Sequence, residues 1–455
     1  MLEKLLNIFK SNDARTSMVK RNIAGNIIVK GISIVLSLII VPLTLGYVSE
    51  YNYGIWISLS SVIGWLTYFD IGINNGLRNK LTYALSQNNI TLGRKLVSTT
   101  YAILIIIFGS ILAIFLASFK WIDWYSFFSL QRGEVQYLSL IVIVIIGFIC
   151  LRSVLNTVLI ILFAYQRSAM SAFIGMLEQF AIVVAIFVLV HLTEGNLLNL
   201  CLVYCIAPLV ILVIANLVMF YGTYRDIRPG IRYIDWKLKS QLFNLGLRFF
   251  IIQIAGLIQF QTVNYIILKF YGPVDVTAYN ISFKYFNVLY MVWALLMAPI
   301  WSAVAEAKSK KELHWIAVTA KKYQIAFLMF FIAGGIMLAL SPLVYRLWLG
   351  GRIAPIPFIL SLMVWLYCMT LMFGSLYVQI LNGLGALRIQ FIASIISPIV
   401  FLATCALLIK GLHLGVASIV AASIIANFNG YILAPYQYHL IIRNKKPSSV
   451  WTKLD

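Results

Sequence analysis

Acidic residues are scarce in this chain: 14 Asp and Glu stand against 35 Lys and Arg in 455 residues, and charged residues of all kinds make up 11%. Soluble domains carry about 25% charged residues, so the composition argues against a soluble protein. Cysteine is also sparse. Cys150, Cys201, Cys205, Cys368 and Cys405 all fall in apolar runs, with no CxxC pair and no clustered histidine. They read as small packing residues, and neither a metal nor any other cofactor is expected. A G-x-x-x-x-G-K-[ST] phosphate loop is missing too, which argues against direct ATP use. No connection is long enough to fold alone, the longest being about 119–134 and 222–241. Glu50, Asp123, Glu134, Glu194 and Asp275 stand isolated in the outer connections, without the paired carboxylates that acid–base or metal-assisted catalysis requires. The first 21 residues lack the apolar core of a cleaved signal. Instead "MLEKLLNIF" sets Leu2, Leu5, Leu6 and Phe9 at helical spacing, suited to a helix lying on the inner leaflet.

What the chain has in abundance is hydrophobic sequence: 62% of residues are apolar and mean hydropathy is +0.94. Runs near 20 residues match a hydrocarbon core of about 30 Å. The runs predict an all-α polytopic membrane protein with twelve transmembrane helices, at 22–47, 53–77, 97–118, 135–163, 169–190, 197–221, 242–268, 277–303, 323–341, 356–381, 387–409 and 414–440. The net charge of +21 is then a topology signal rather than a nucleic-acid footprint, and no nucleic-acid partner is expected. With the N-terminus inside, 25 basic residues fall on the cytoplasmic side and six outside, which orients both termini toward the cytoplasm. The loop "YRDIRPGIRYIDWKLKS" divides the chain into an N-terminal bundle over 1–221, a linker over 222–241 and a C-terminal bundle over 242–455. Two six-helix bundles of this kind form a parallel repeat. An offset of 226 sets Gly46 on Gly272, Tyr53 on Tyr279 and Lys95 on Lys321.

The remaining four basic residues, Lys30, Arg152, Arg248 and Lys284, lie within the spans. A charge at the bilayer centre costs about 2.5–3.5 kcal/mol, so each should face protein or a water-filled cavity. Asn26, Lys30, Ser33 and Ser37 share one face of span one, as a cavity-lining stripe or an internal hydrogen-bond network. Asn280, Lys284 and Asn287 repeat that spacing in span eight, where snorkelling is the alternative to a lumen role. Arg152 and Glu178 lie on neighbouring spans, either as a mutual salt bridge or as an anion-binding arginine beside a titrating carboxylate. Arg248 lies one turn into span seven, interfacial or in the lumen. Within "FDIGINNGLRNKL", Asp70, Asn74 and Arg78 follow at four-residue steps, as a helix-end patch or as a coupling or gating element. The surplus of positive charge favours an anionic ligand, phosphate above all.

Over essentially its whole length the chain resembles the Wzx-type O-antigen and polysaccharide repeat-unit flippases. That family is a branch of the multidrug, oligosaccharidyl-lipid and polysaccharide exporter (MOP) superfamily. The segments that carry the resemblance are "PLTLGYVSEYNYGIW", "FDIGINNGLRNKL", "APIWSAVAEAKSKKELHWI", "YRLWLGG" and "LNGLGALRIQ", in this order. The resemblance implies two six-helix bundles around a central, often cationic cavity in the bacterial cytoplasmic (inner) membrane. It implies a substrate of lipopolysaccharide biosynthesis, an oligosaccharide linked through pyrophosphate to undecaprenol, flipped by alternating access that an ion gradient of protons or sodium drives. Lys30, Arg152, Arg248 and Lys284, with Asn26, Asn280 and Asn287, are then candidates for binding substrate, and Asp70, Glu178 and Arg78 for ion coupling or gating. The implied partners are membrane lipid, a polysaccharide polymerase and a chain-length regulator. The rival readings are a drug/cation antiporter of the same superfamily, disfavoured by the basic surplus, and a membrane polysaccharide polymerase or glycosyltransferase, disfavoured by the isolated carboxylates.

Overall fold

The computed structural model describes residues 14–63, 65, 73–240, 242, 261–297, 300–411 and 415–443, and within them all regular structure is helical. Packing divides the chain into two compact units, Met1–Ser49 with Ile63–Ile251 and Glu50–Val62 with Ile252–Asp455.

The first unit holds α1 (Ala14–Tyr47), α3 (Ile73–Ser86), α4 (Ile90–Ser118), the short α5 (Trp124–Phe127), α6 (Leu138–Leu155), α7 (Thr157–Ala164), α8 (Ser168–Leu192) and α9 (Leu197–Tyr221). Side-chain caps set two of the starts: Asn89 accepts from Leu92 N at 2.9 Å before α4, and Asn196 accepts from Leu198 N at 2.7 Å before α9. α8 packs between α1 and α9, while α4 packs on α3 and α6. Leu77, Leu81, Leu104 and Phe108 are buried there. The predicted span 135–163 is interrupted at Asn156, where α6 gives way to α7. Leu159 N turns to Asn156 O at 3.0 Å. The Leu155 carbonyl, which would otherwise take that bond, accepts from Asn216 Nδ2 at 3.0 Å. Tyr101 Oη completes the cluster by donating to Asn216 Oδ1 at 2.8 Å, so the Leu155 carbonyl released at the break is satisfied by a side chain.

The second unit holds α2 (Glu50–Ile63), a helical stretch over 261–271, α10 (Pro273–Met297), α11 (Ile300–Ser309), α12 (Leu313–Leu349), α13 (Phe358–Leu384), α14 (Arg388–Gly411), α15 (Ala417–Ala426) and α16 (Ala434–Arg443). α13 is its centre, packed by α10, α11, α12, α15 and α16. α2 comes from the N-terminal half of the sequence yet packs here, because Gly54 brings it against α10. A Cβ at Gly54 would stand 1.8 Å from Pro273 O, so only glycine allows the approach. Thr277 Oγ1 then donates to Glu50 O at 2.7 Å. A similar close contact lies beside the bend of the last span. Gly374 on α13 lies so close to Gly430 that a Cβ on it would come 2.6 Å from the Gly430 Cα. There a π turn (Asn429–Leu433) joins α15 to α16, and the pair Ala417–Ala426 and Asn429–Ile442 meets at 43°.

Among the described residues, eight helices are each long and apolar enough to cross a membrane, or nine with that bent pair. They coincide with predicted spans one, three to six and nine to twelve. α10, on span eight, is 25 residues long but too polar to join them, since Asn280, Lys284 and Asn287 lie on it. Span two falls on α2 and the start of α3, and most of span seven lies outside the described residues. The expected span 323–341 is only the middle of α12, whose 37 residues extend about 55 Å at 1.5 Å each. His314, Lys321 and Lys322 toward one end and Arg346 toward the other allow those ends to leave hydrocarbon.

Candidate functional site

Polar side chains within the apolar helices form two separate groups, one in each unit. In the second unit, α10 presents Asn280, Lys284 and Asn287 on successive turns. Asn280 Nδ2 donates to Asn264 Oδ1 at 2.8 Å and to Val276 O on its own helix at 2.8 Å. Asn264 Nδ2 in turn donates to Ser61 Oγ at 2.7 Å. A relay of hydrogen bonds thus crosses from α10 through the 261–271 helix to α2, and each amide polarises the next. One turn beyond Asn280 stands Lys284, half-buried, with no carboxylate in ion-pairing distance among the described residues. Asn287 is half-buried on the following turn. Aromatic rings frame this face: Phe283 stacks on Tyr279 with centroids 5.9 Å apart and lies 6.4 Å from Tyr367. The arrangement offers amide donors and acceptors beside an uncompensated ammonium, which suits a polar anionic group.

In the first unit, Arg152 on α6 contacts Glu178 on α8 through a charge-assisted hydrogen bond to Oε2. The carboxylate is the more buried partner, and among the described residues its other oxygen, Oε1, has no hydrogen-bond donor. Lys30 is exposed on α1, again without a carboxylate partner among the described residues. Arg78 is exposed on α3 and lies over the Phe163 ring at 5.0 Å, while the neighbouring Asn74 is buried and accepts from Thr157 Oγ1 at 3.4 Å. Asp70 and Arg248 lie outside the described residues, as does the side chain of Asn26. The structure therefore brings together Arg152 with Glu178, and Asn280 with Lys284 and Asn287, within separate units.

Ser61 and Thr157 escape a reading of the sequence, because a lone hydroxyl in an apolar run is ordinary. The cluster Ser58, Ser60 and Ser61 near the end of α2 is the local signal for the first. At the start of that helix, burial and the neighbouring Asp275 push the Glu50 carboxyl up, against the pull of the Ala354 N–H that it accepts at 3.0 Å. Burial pushes Asp275 up as well.

No family model matches the sequence. A curated protein of Yersinia pseudotuberculosis named "Putative O-antigen export protein" is 22% identical over 370 residues, covering 78% of this chain and 81% of that protein. Among solved structures, an inward-facing multidrug resistance MATE family transporter of the MOP superfamily aligns with a TM-score of 0.75 at 12% identity, over 93% of this chain and 100% of that one. The chain carries a MATE-type transporter fold. An outward-facing MATE family transporter of the MOP superfamily aligns over 95% of this chain and 96% of that one, with a TM-score of 0.64 and 14% identity. The resemblance expected from the sequence motifs therefore holds in both comparisons, by sequence to an O-antigen export protein and by fold to MATE family transporters.

Proposed function

We propose that the protein is a flippase that moves undecaprenyl-pyrophosphate-linked oligosaccharide repeat units from the inner to the outer leaflet of the bacterial cytoplasmic membrane. It works by alternating access, and an ion gradient drives it. Both termini face the cytoplasm, as the basic bias of the connections requires. The observation that carries this reading is Lys284, an ammonium without a carboxylate partner among the described residues, one turn from the Asn280–Asn264–Ser61 relay on a helix too polar to be lipid-facing throughout. The amides supply partners for sugar hydroxyls, replacing hydration that a glycan loses in hydrocarbon. Lys284 supplies a point charge for the diphosphate, and Lys30 in the first unit is a second candidate for an anionic group. The likeness to an O-antigen export protein over four-fifths of that protein's length supports the same substrate class.

The test is complementation of cells lacking the gene. Replacing Lys30 and Lys284 together by alanine abolishes surface polysaccharide while the protein stays in the membrane at its normal amount. Normal polysaccharide from that double variant rejects the anion-binding role. A drug/cation antiporter is the second reading, favoured by the multidrug transporters among the structural neighbours. It predicts substrate-dependent cation efflux from vesicles holding the purified protein, and absence of that efflux removes it.

A further inference from the structure

The segment that follows α9 is held against the first turns of α4. It forms three short 3-10 turns, Arg225–Ile227, Ile231–Tyr233 and Trp236–Leu238. Gly230 N donates to Ser98 Oγ at 3.1 Å, Asp235 N donates to Thr99 Oγ1 at 2.9 Å, and Lys95 Nζ pairs with Asp235 at 3.3 Å. These bonds make the linker a fixed part of the first unit. Beside it opens a cavity of about 710 Å³, lined among others by Arg94, Arg225, Arg228, Asp226, Thr91 and Tyr233.

Charge in this cavity is unbalanced, with three guanidinium groups facing one carboxylate. Among the described residues, none of the three arginines is ion-paired. Neutral partners position two of them instead. Arg94 lies over the Tyr233 ring at 3.8 Å and donates Nε to Arg228 O at 3.1 Å. Arg228 lies over Tyr221 at 4.1 Å and donates to its hydroxyl at 2.9 Å. Stacking occupies the faces of these planes and leaves N–H edges for an oxyanion, and the guanidinium fork fits phosphate bidentately. Three guanidinium groups lining one cavity with a single carboxylate leave a surplus of positive charge that favours an anion.

The surroundings of the cavity identify the anion. Ile231 is 88% exposed, Tyr221 64%, Trp236 48% and Ile90 41%. Large apolar and aromatic groups beside arginines belong at the headgroup level of a bilayer, where rings and aliphatic chains enter the acyl boundary and charges meet lipid phosphate. From this geometry we infer that the arginine pocket binds the phosphate headgroup of an anionic phospholipid of the cytoplasmic leaflet and fixes that lipid at the end of α4. The inference rests on the proposed orientation of the chain. It needs no particular transported substrate, and its test reads lipid retention rather than polysaccharide, so the two proposals fail separately.

The experiment is native mass spectrometry of the full chain in neutral detergent, with phosphatidylglycerol and phosphatidylcholine supplied in equal amounts. The wild type retains phosphatidylglycerol in preference. R225Q/R228Q weakens that retention about fivefold for each arginine removed, whereas K321Q/K322Q, which removes the same charge from α12, leaves it unchanged. R225K/R228K keeps the charge but not the fork, and its retention, above that of R225Q/R228Q and below that of the wild type, separates loss of the site from loss of folding. If R225Q/R228Q does not fold, competition on the wild type decides. Inorganic phosphate at millimolar concentration fails to displace phosphatidylglycerol if the lipid is the ligand. Equal retention of the two lipids, equal loss in K321Q/K322Q, or displacement by inorganic phosphate alone each overturns the inference.

Discussion

Arg152 on α6 and Glu178 on α8 form an ion pair whose two ends are unequally buried, the arginine side chain being 35% exposed and the glutamate 6%. The asymmetry decides which half of the pair is dispensable. In Arg152→Met a carboxylate is left buried with neither a cation nor, among the described residues, a donor on its second oxygen. That costs about 3 kcal/mol. In Glu178→Gln the guanidinium keeps an amide acceptor and a route to solvent, for a loss of about 1 kcal/mol. Thermal unfolding in detergent should rank Arg152→Met well below Glu178→Gln, with Arg152→Met/Glu178→Leu recovering much of the difference. Equal destabilisation by the two single changes would show that the pair is not the contact that matters.

The Asn280–Asn264–Ser61 relay yields a second ranking. Asn280→Leu removes two donors from α10 and leaves Asn264 Oδ1 buried without its partner, at about 1–3 kcal/mol. Ser61→Ala removes only the acceptor at the far end, and the freed amide of Asn264 makes it costlier than the loss of one surface hydroxyl. Both variants should lower the unfolding temperature, Asn280→Leu more. Only Asn280→Leu, next to Lys284, should also reduce surface polysaccharide at equal protein amount. A drop in polysaccharide that merely tracks protein amount in both would make the relay structural alone.

Local periodicity made much of this fold legible. Span six coincides with α9 at Leu197–Tyr221, and span five differs from α8, Ser168–Leu192, by one or two residues at each end. An unbroken apolar run leaves a helix few alternatives in lipid, where every backbone group must be satisfied within the segment. What stayed hidden depends on partners distant in sequence. Asn264 and Ser61 are 203 residues apart, and no period within either segment points to the other. The assignment of α2 to the second unit rests on Gly54 meeting Pro273, a close approach that one glycine in an apolar run does not announce. The bend between α15 and α16 likewise sits against Gly374 across the helix interface, a neighbour that its own segment does not announce. Of the site, the lysine and the two asparagines on α10 were visible as a polar stripe, whereas the partners of that stripe were not.

Gly54→Ala tests the α2–α10 contact directly. The added methyl would meet the Pro273 carbonyl carbon at 2.5 Å as well as its oxygen, and both are backbone atoms that no rotamer change can clear. The helices must separate, at about 3 kcal/mol or more. Loss of the Thr277–Glu50 bond follows from the same shift. The variant should show a lower unfolding temperature and faster proteolysis in the 48–49 connection. Gly31→Ala on α1, where a Cβ meets nothing within 4 Å, should be neutral. If Gly54→Ala is as stable as Gly31→Ala, α2 does not pack on α10 in this way.

Glu50 links the same contact to pH. Burial and the nearby Asp275 raise its folded pKa above the ordinary carboxylate range, against the Ala354 N–H that favours the charged form. Asp275 is shifted the same way by burial. A carboxyl whose pKa is higher when folded binds its proton more tightly in the native state. It therefore subtracts nothing below the ordinary carboxylate pKa, and stability falls as pH rises from there through the raised folded value. Acidification toward pH 4–5, an interval set by the usual carboxylate range, should accordingly strengthen the second unit at this end. Glu50→Gln keeps an oxygen to accept the Ala354 N–H but carries no charge. At neutral pH it should unfold at a higher temperature than the wild type, near pH 4 the two should converge, and the slope between should flatten. Destabilisation by Glu50→Gln at neutral pH would mean that the hydrogen bond to Ala354 outweighs the burial of the charge, reversing the sign assigned here.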